Sequence, residues 1–414
     1  MIPQKNYPPE MLKSYRWVMA TISGLLMTTS FIALTSFGIL SSQIATTFHI
    51  NNSTLTVLGV DAFSIGLFVA FFLGHGGLFD TRLRTGVLVS QIFLIVPQFL
   101  IPVSYNLYLL VALRFFQGLV IMLLALFSLQ LSGWFRPEER AKSLAFTLGA
   151  ITLGSAAGGI LPSVFSSVSW QEAYYITGIV MIAGAAIYFI FARDPPALKE
   201  TLKKEKKQKH VSAWRNPMTW IMGAIQIPLT WTLFSIGGFL PSYSRHLGYS
   251  SGMTSDVIII WGLTGFIAAF IGAIIGDRLT RGKTTGRQIL NSRLKIMTVA
   301  DLMMGLGALI MILAGGISYD WLIIAAIVNG FLMMFPPNYW ALPGSVFPVY
   351  MVGAGAFGMG LISNSADAVG PLVSSVLTSN WDLVFGIMVI LSFIGVIINV
   401  ILMKAKLKSM EVVE

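Results

Sequence analysis

The chain has 414 residues, of which 55% are hydrophobic and only 11% charged, with a mean hydropathy of +0.78. A soluble chain carries about a quarter charged residues, so this composition excludes a water-soluble globule. The net charge of +10 lies in short links between apolar segments and does not read as a nucleic-acid surface, while the absence of cysteine excludes disulfides, thiolate metal sites and a cysteine nucleophile.

Apolar stretches of about 20 residues, the length that crosses a hydrocarbon core, recur along the whole sequence. They predict helices over 17–40, 55–78, 86–104, 107–132, 143–165 and 172–192, then over 216–241, 254–276, 294–316, 320–342, 353–376 and 383–403. The first follows Lys5, Lys13 and Arg16 and is too long for the apolar region of a cleavable signal, so it reads as a spanning helix. Between the sixth and seventh lies the one long hydrophilic break, with Lys203-Lys204-Glu205-Lys206-Lys207 at its core. The expected organisation is therefore a six-helix bundle over 1–192, a basic linker over 193–215, and a second bundle with a short tail over 216–414.

When the helices alternate in direction, all but two of the 27 Lys and Arg residues fall on the side of the N-terminus. The exceptions are Arg245 on the opposite side and Arg114 inside the fourth helix. The positive-inside rule then predicts that both termini and the linker are cytoplasmic. The linker reads as a solvated segment obeying that rule, although a basic run beside a membrane also attracts anionic headgroups.

The two sets of six resemble each other. Gly38-Ile39-Leu40-Ser41-Ser42 near the end of the first helix is answered by Gly238-Phe239-Leu240-Pro241-Ser242 in the seventh. Asp80 with Arg82 and Arg84 is answered by Asp277 with Arg278 and Arg281, and Trp170-Gln171 by Trp381-Asp382. A duplicated six-helix unit is how many secondary transporters are built.

Gly76-Gly77-Leu78-Phe79-Asp80-Thr81-Arg82-Leu83-Arg84 resembles the loop signature of the major facilitator superfamily, with Leu83 where that signature has glycine. Arg114-Phe115-Phe116-Gln117-Gly118 resembles its Arg-x-x-x-Gly signature in helix four. Gly154-Ser155-Ala156-Ala157-Gly158-Gly159 is similar to half of the glycine-proline motif of its antiporters and equally suits tight helix packing. Asn338-Tyr339-Trp340-Ala341-Leu342-Pro343, Ile362-Ser363-Asn364 and Val369-Gly370-Pro371 resemble the anion:cation symporter branch, which carries sugar acids and other small carboxylates. Many members of that branch have a glutamate at the position of Ile121 and a charged pair in helix one, which here has none. The resemblance implies an all-α polytopic membrane protein with twelve transmembrane helices in two pseudo-symmetric bundles, working by alternating access. It also implies a rocking gate at Asp80, Arg82, Arg84, Asp277, Arg278 and Arg281.

Charged residues inside a membrane are expensive and mark function by default. Arg114 lies about 12 Å inside its helix and is the expected anion clamp, or the cation of a proton relay. Asp61 sits at similar depth in the same half, so the two can pair, with substrate occupying Arg114 freeing Asp61 for a proton; a static pair, or an aspartate near the outer surface, is the alternative reading. Asp367, near mid-membrane, is the other expected proton carrier, while Asp301 reads as structural. Gln226, Trp231, Trp261, Asn338, Tyr339 and Asn364 are expected around the substrate, and Pro336-Pro337 is expected to break helix ten.

The four histidines offer no metal spacing, and no phosphate-cradling Gly-Lys-Ser/Thr run appears. The expectation is a non-enzymatic carrier in the plasma membrane, without cofactor or metal. Its partners are a small-molecule substrate, a co-transported proton and the lipid bilayer, with no nucleic acid, and it is expected to function as a monomer. A small organic anion is the first substrate reading. A proton-driven drug exporter is the second, and a non-transporting receptor or scaffold is the reading from another class.

Overall fold

The computed structural model describes residues 9–74, 83–164, 168–193, 195, 213–347 and 351–405. They form α1 (Pro9–Thr47), α2 (Asn52–Gly74), α3 (Leu83–Leu100), α4a (Leu107–Gly118), α4b (Met122–Trp134), α5 (Arg140–Val164) and α6 (Trp170–Phe191). The second set is α7 (Pro217–His246), α8 (Ser251–Thr280), α9 (Gly286–Ala314), α10a (Tyr319–Gly330), α10b (Phe335–Trp340), α11 (Val352–Val376) and α12 (Trp381–Lys404). Counting α4 and α10 once each gives twelve long helical segments among the described residues. Eleven of them are long and apolar enough to cross a membrane. The other is α11, whose apolar character is diluted by Ser363, Asn364, Ser365, Asp367 and Pro371.

Caps fix several helix starts, two of which, those of α9 and α6, hydropathy placed too late. The side chain of Thr285 accepts the Gln288 N–H and begins α9 at Gly286, so the basic Arg287, Arg293 and Lys295 belong to the helix and not to a link. Asn216 caps α7 with Pro217 at its first position. Ser169 and Glu172 make a capping box at α6.

Helices α4 and α10 break alike. Each opens on a capped twelve-residue piece, with Asn106 and Ser318 as caps, and each piece ends in glycine, Gly118 or Gly330. A short 3₁₀ stretch follows in both, Leu119–Ile121 and Phe331–Met334. Pro336-Pro337 stands at the second break, as expected: the carbonyls of Leu332 and Met333, in the 3₁₀ stretch, have no N–H four residues on to accept from. The prolines open α10b, where a missing N–H costs nothing.

Small residues let the two sets of six helices approach each other. Gly262 and Gly265 of α8 lie against Thr152 and Ala156 of α5, and Gly149 of α5 lies against Ala269. Gly154 and Gly158 press on Thr28 and Thr35 of α1, so the glycine run of α5 is occupied by packing. Helices α1, α5 and α7 are mostly buried, whereas α3, α6, α9 and α12 carry exposed Ile92, Ile182, Leu306 and Ile397. That apolar exterior is what lipid would cover. Between α9 and α12, Asp301 accepts a 2.9 Å bond from the Asn399 amide and lies against Gly395, a helix-to-helix contact on the periphery.

Candidate functional site

The bundle has a near end, where α1 starts, and a far end, where it stops. Polar side chains gather at both ends and at two places between.

At the near end the Asp277 carboxylate of α8 is the centre. Its Oδ1 accepts from Arg293 of α9 at 3.0 Å, and its Oδ2 accepts from the backbone N–H of Lys142, in the first turn of α5, at 3.1 Å. Helix N-termini present unpaired N–H groups and favour negative charge, so Asp277 caps a helix of the other half. Arg293 also donates to Asn338 Oδ1 at 3.1 Å, while the Asn338 amide nitrogen donates to the Gly272 and Met334 carbonyls, both at 2.9 Å. Gly276 makes room for this amide: a Cβ there would lie 1.8 Å from Asn338 Oδ1. Asn338 is thus fixed inside the second half, with both its amide oxygen and its amide nitrogen engaged.

Asp277 was expected beside Arg278 and Arg281. Both arginines are exposed, and among the described residues neither forms an ion pair. The true partner, Arg293, is buried, so Arg114 is not the sole arginine inside a helix. Asp80 and Arg82 lie outside the described residues. Arg84 donates to the Phe189 carbonyl at the end of α6 at 2.7 Å, and Arg287 does the same to Met403 at the end of α12 at 2.9 Å. These matched bonds each clasp two helices within one half, and among the described residues Arg84 makes no hydrogen bond to the other half.

In the first half Arg114 is buried to 1% exposure. Its Nε donates to the Gly59 carbonyl at 3.3 Å, and its Nη1 to the Ala33 carbonyl and Gln117 Oε1 at 3.0 and 2.8 Å. The guanidinium lies 4.5 Å from the Phe37 ring centre and 4.7 Å from that of Phe63, a cation–π sandwich. Gln117 continues the chain to Gln98, which donates to Thr177 and the Tyr174 carbonyl. The expected Arg114–Asp61 pair is absent because Arg114 is satisfied by carbonyls and rings of its own half. Its Nη2 alone has no partner.

Asp61 belongs to the far end. Its Oδ2 accepts from Ser375 of α11 at 3.0 Å, a contact between halves. Beside it, Val60 packs on Gly238. Arg245 of α7 donates to the Gly38 carbonyl and to Ser41 of α1 at 3.1 and 3.4 Å. Sequence reasoning missed Arg245 and Ser375. The sequence carries a signal for the first, since Arg245 is the lone basic residue assigned to that face, and its partner Gly38 lies against Gly238 of the repeated segment.

The last group lies between α7 and α11. Thr230 donates to the Ser363 carbonyl at 2.7 Å and Ser374 to Ser235 at 3.1 Å, while Gly223 meets Ile362 and Gly370 meets Trp231. Asp367 is fully buried, and neither carboxylate oxygen has a hydrogen-bond partner. The Gln226 Oε1 and the Trp231 Nε1 are likewise without partners. Asn364 donates to Gly360 of its own helix, Tyr339 to the Met222 carbonyl of α7 at 2.8 Å, and Trp261 to Asn329 at 2.9 Å. Of the residues expected around a substrate, the structure thus leaves Arg114, Gln226 and Trp231 with unspent hydrogen-bonding atoms and uses Asn338, Tyr339 and Trp261 to join helices.

The Major Facilitator Superfamily profile matches residues 22–368. The chain is 26% identical to the hexuronate transporter of Bacillus subtilis over 262 residues, 59% of this chain and 60% of that one. It is 25% identical to probable anion transporter 6 of Oryza sativa over 191 residues, 39% of this chain and 43% of that one. It is 23% identical to the probable sulfoacetate transporter SauU of Cupriavidus necator over 279 residues, 61% and 62% of the two chains. The matches thus span less than two thirds of these relatives. The human organic anion transporter MFSD10 (TETRAN) superposes with a TM-score of 0.71 over 95% of this chain and 100% of that one, at 14% identity, a likeness of fold.

Proposed function

Because the chain belongs to the major facilitator superfamily, and is therefore a multi-pass membrane transporter, we propose that it carries a small organic anion, a carboxylate or sugar acid, by alternating access. The observation that carries the anion reading is Arg114: a permanently charged guanidinium buried within the bundle, with Nη2 left for an acceptor. Relatives named for hexuronate, anion and sulfoacetate transport support it. The glycine run of α5, the sequence feature that pointed to an exporter, is taken up by packing against α1.

In this reading residues 1–192 and 216–414 rock against each other, with the near end at the cytoplasm of a plasma-membrane protein. The contact of Asp277 with the start of α5 closes the inner side. The contacts of Arg245 with Gly38 and Ser41, and of Asp61 with Ser375, close the outer side. Asp61 is thereby occupied with the gate, and Asp367 remains as the carboxylate for a coupling cation.

Thermal stabilisation of the purified protein by a panel of carboxylates, neutral sugars and lipophilic cations tests the substrate class. A saturable rise in melting temperature with sugar acids or other small carboxylates is the expected result. Stabilisation confined to lipophilic cations would overturn the anion reading.

A further inference from the structure

The far end of the bundle is mostly acidic. Asp61 of α2 lies there, and Glu172, Asp256, Asp320 and Asp382 stand exposed near the starts of α6, α8, α10a and α12. The sequence offers this end one Lys or Arg, Arg245 in the last turn of α7. An anion arriving from this side therefore meets a single fixed positive charge, toward which the field steers it. That charge is no part of the duplicated scaffold. At the spacing that matches Gly38 with Gly238, the counterpart of Arg245 in the first half is Ala45.

The bonds that Arg245 makes are of a kind a carboxylate displaces. Half-buried, it donates from Nη2 to the Gly38 carbonyl at 3.1 Å and to the Ser41 hydroxyl at 3.4 Å. Among the described residues these are the side-chain hydrogen bonds that join α1 to α7. Both acceptors are neutral. The Gly38 carbonyl also accepts from the Ser41 hydroxyl at 2.8 Å, so it keeps a donor when Arg245 leaves. Among the described residues Arg245 forms no ion pair, and its Nε and Nη1 donate to none of them. A carboxylate takes two parallel N–H groups of a guanidinium, a pairing stronger than one N–H on a neutral carbonyl.

We propose that the Arg245 guanidinium is the entry site for the carboxylate of an incoming substrate, which draws it off the Gly38 carbonyl and so unlatches α7 from α1 at the far end. The site deepens the anion-carrier reading above and rests on it, with the far end facing outward.

Uptake of glucuronate, sulfoacetate and lactate is followed in right-side-out membrane vesicles at concentrations far below saturation, where the rate reports kcat/KM. The wild type is compared with Arg245→Gln, which keeps an N–H for Gly38 but no charge, and with Arg245→Lys, which keeps the charge but no fork. For the anion that is carried, kcat/KM should fall about tenfold or more in Arg245→Gln, the loss of a charge-assisted pair, and less in Arg245→Lys. Raising the ionic strength from about 10 to about 500 mM should slow the wild type and Arg245→Lys and leave Arg245→Gln nearly unchanged. A latch without a binding role predicts the opposite sign, because weakening the closed far end leaves more carriers open to the outside. A kcat/KM for Arg245→Gln equal to or above that of the wild type therefore overturns the site. Should Arg245→Gln not fold, wild-type uptake indifferent to ionic strength is the overturning result. A wild type that takes up none of the three anions removes the carrier reading and the site with it, whereas uptake that Arg245→Gln leaves intact removes the site alone.

Discussion

The carboxylate of Asp277 in the second half receives the backbone N–H of Lys142 in the first at 3.1 Å, while its other oxygen holds the buried Arg293 at 3.0 Å. One side chain thus couples a helix N-terminus of one half to an ion pair of the other. Asp277→Asn keeps the shape but removes the charge, leaving Arg293 without its counter-ion and α5 without its anionic cap. Turnover should fall while substrate affinity stays within a few fold. Counterflow rates measured beside equilibrium binding check this, and unchanged turnover would show that the contact is no gate. The repeat predicts the same outcome for Asp80→Asn.

Where α2 crosses α4, a Cβ on Gly66 would lie 2.1 Å from the Phe115 carbonyl and one on Gly118 would lie 2.0 Å from that of Phe63. Both obstacles are backbone, so they cannot swing aside. Gly66→Ala and Gly118→Ala should each lower stability by about 1–3 kcal/mol, the range for overpacking, despite the helix propensity alanine adds. A melting temperature at or above wild type for either variant would refute the crossing.

At the far end Ser375 meets Asp61 across the halves at 3.0 Å. The chain has no cysteine of its own, so Asp61→Cys with Ser375→Cys introduces a single possible pair. Oxidation should arrest transport and reductant should restore it. Transport by the cross-linked protein at the unlinked rate would show that this end does not open.

Hydropathy and the repeat made the twelve helices legible because spanning a hydrocarbon layer leaves little choice of length or composition. The sites were harder, for identifiable reasons. Arg293 was counted as a link residue because the cap at Thr285 starts α9 a full two turns before its apolar stretch. The pairing of Arg114 with Asp61 was inferred from equal depth, which says nothing of the direction in which a side chain leaves its helix. Arg114 turns to carbonyls of α1 and α2, and Asp61 turns to the other half. Gating arginines and clasping arginines look alike in a basic loop, and only the carbonyls of Phe189 and Met403 identify Arg84 and Arg287 as clasps.

Orientation is open to a direct measurement. With all but two of the 27 basic residues assigned to the face of the N-terminus, both ends should be cytoplasmic. Single cysteines placed at positions 199–209 should resist a membrane-impermeant thiol reagent in intact cells and react after permeabilisation. Labelling from outside would reverse the topology.

Arg114 carries two roles that substitutions can separate. It ties α1, α2 and α4a together through the Ala33 and Gly59 carbonyls and through Gln117, between the rings of Phe37 and Phe63, and it holds Nη2 in reserve. Lysine keeps the charge but loses the planar fork and so cannot serve the scaffold and an anion together. Arg114→Lys should weaken anion binding by about 1–3 kcal/mol, the range for a charge-assisted hydrogen bond, and Arg114→Ala by more. Both should also lower the melting temperature in the absence of substrate, since the carbonyls of Ala33 and Gly59 lose donors. A role confined to the scaffold predicts the second effect without the first: affinity for a small carboxylate, measured on the folded fraction, would be unchanged. A lipophilic cation supplies the control, because removing the positive charge should leave its binding equal or improved. Unchanged anion affinity together with improved cation affinity would move the substrate assignment from anions to cations.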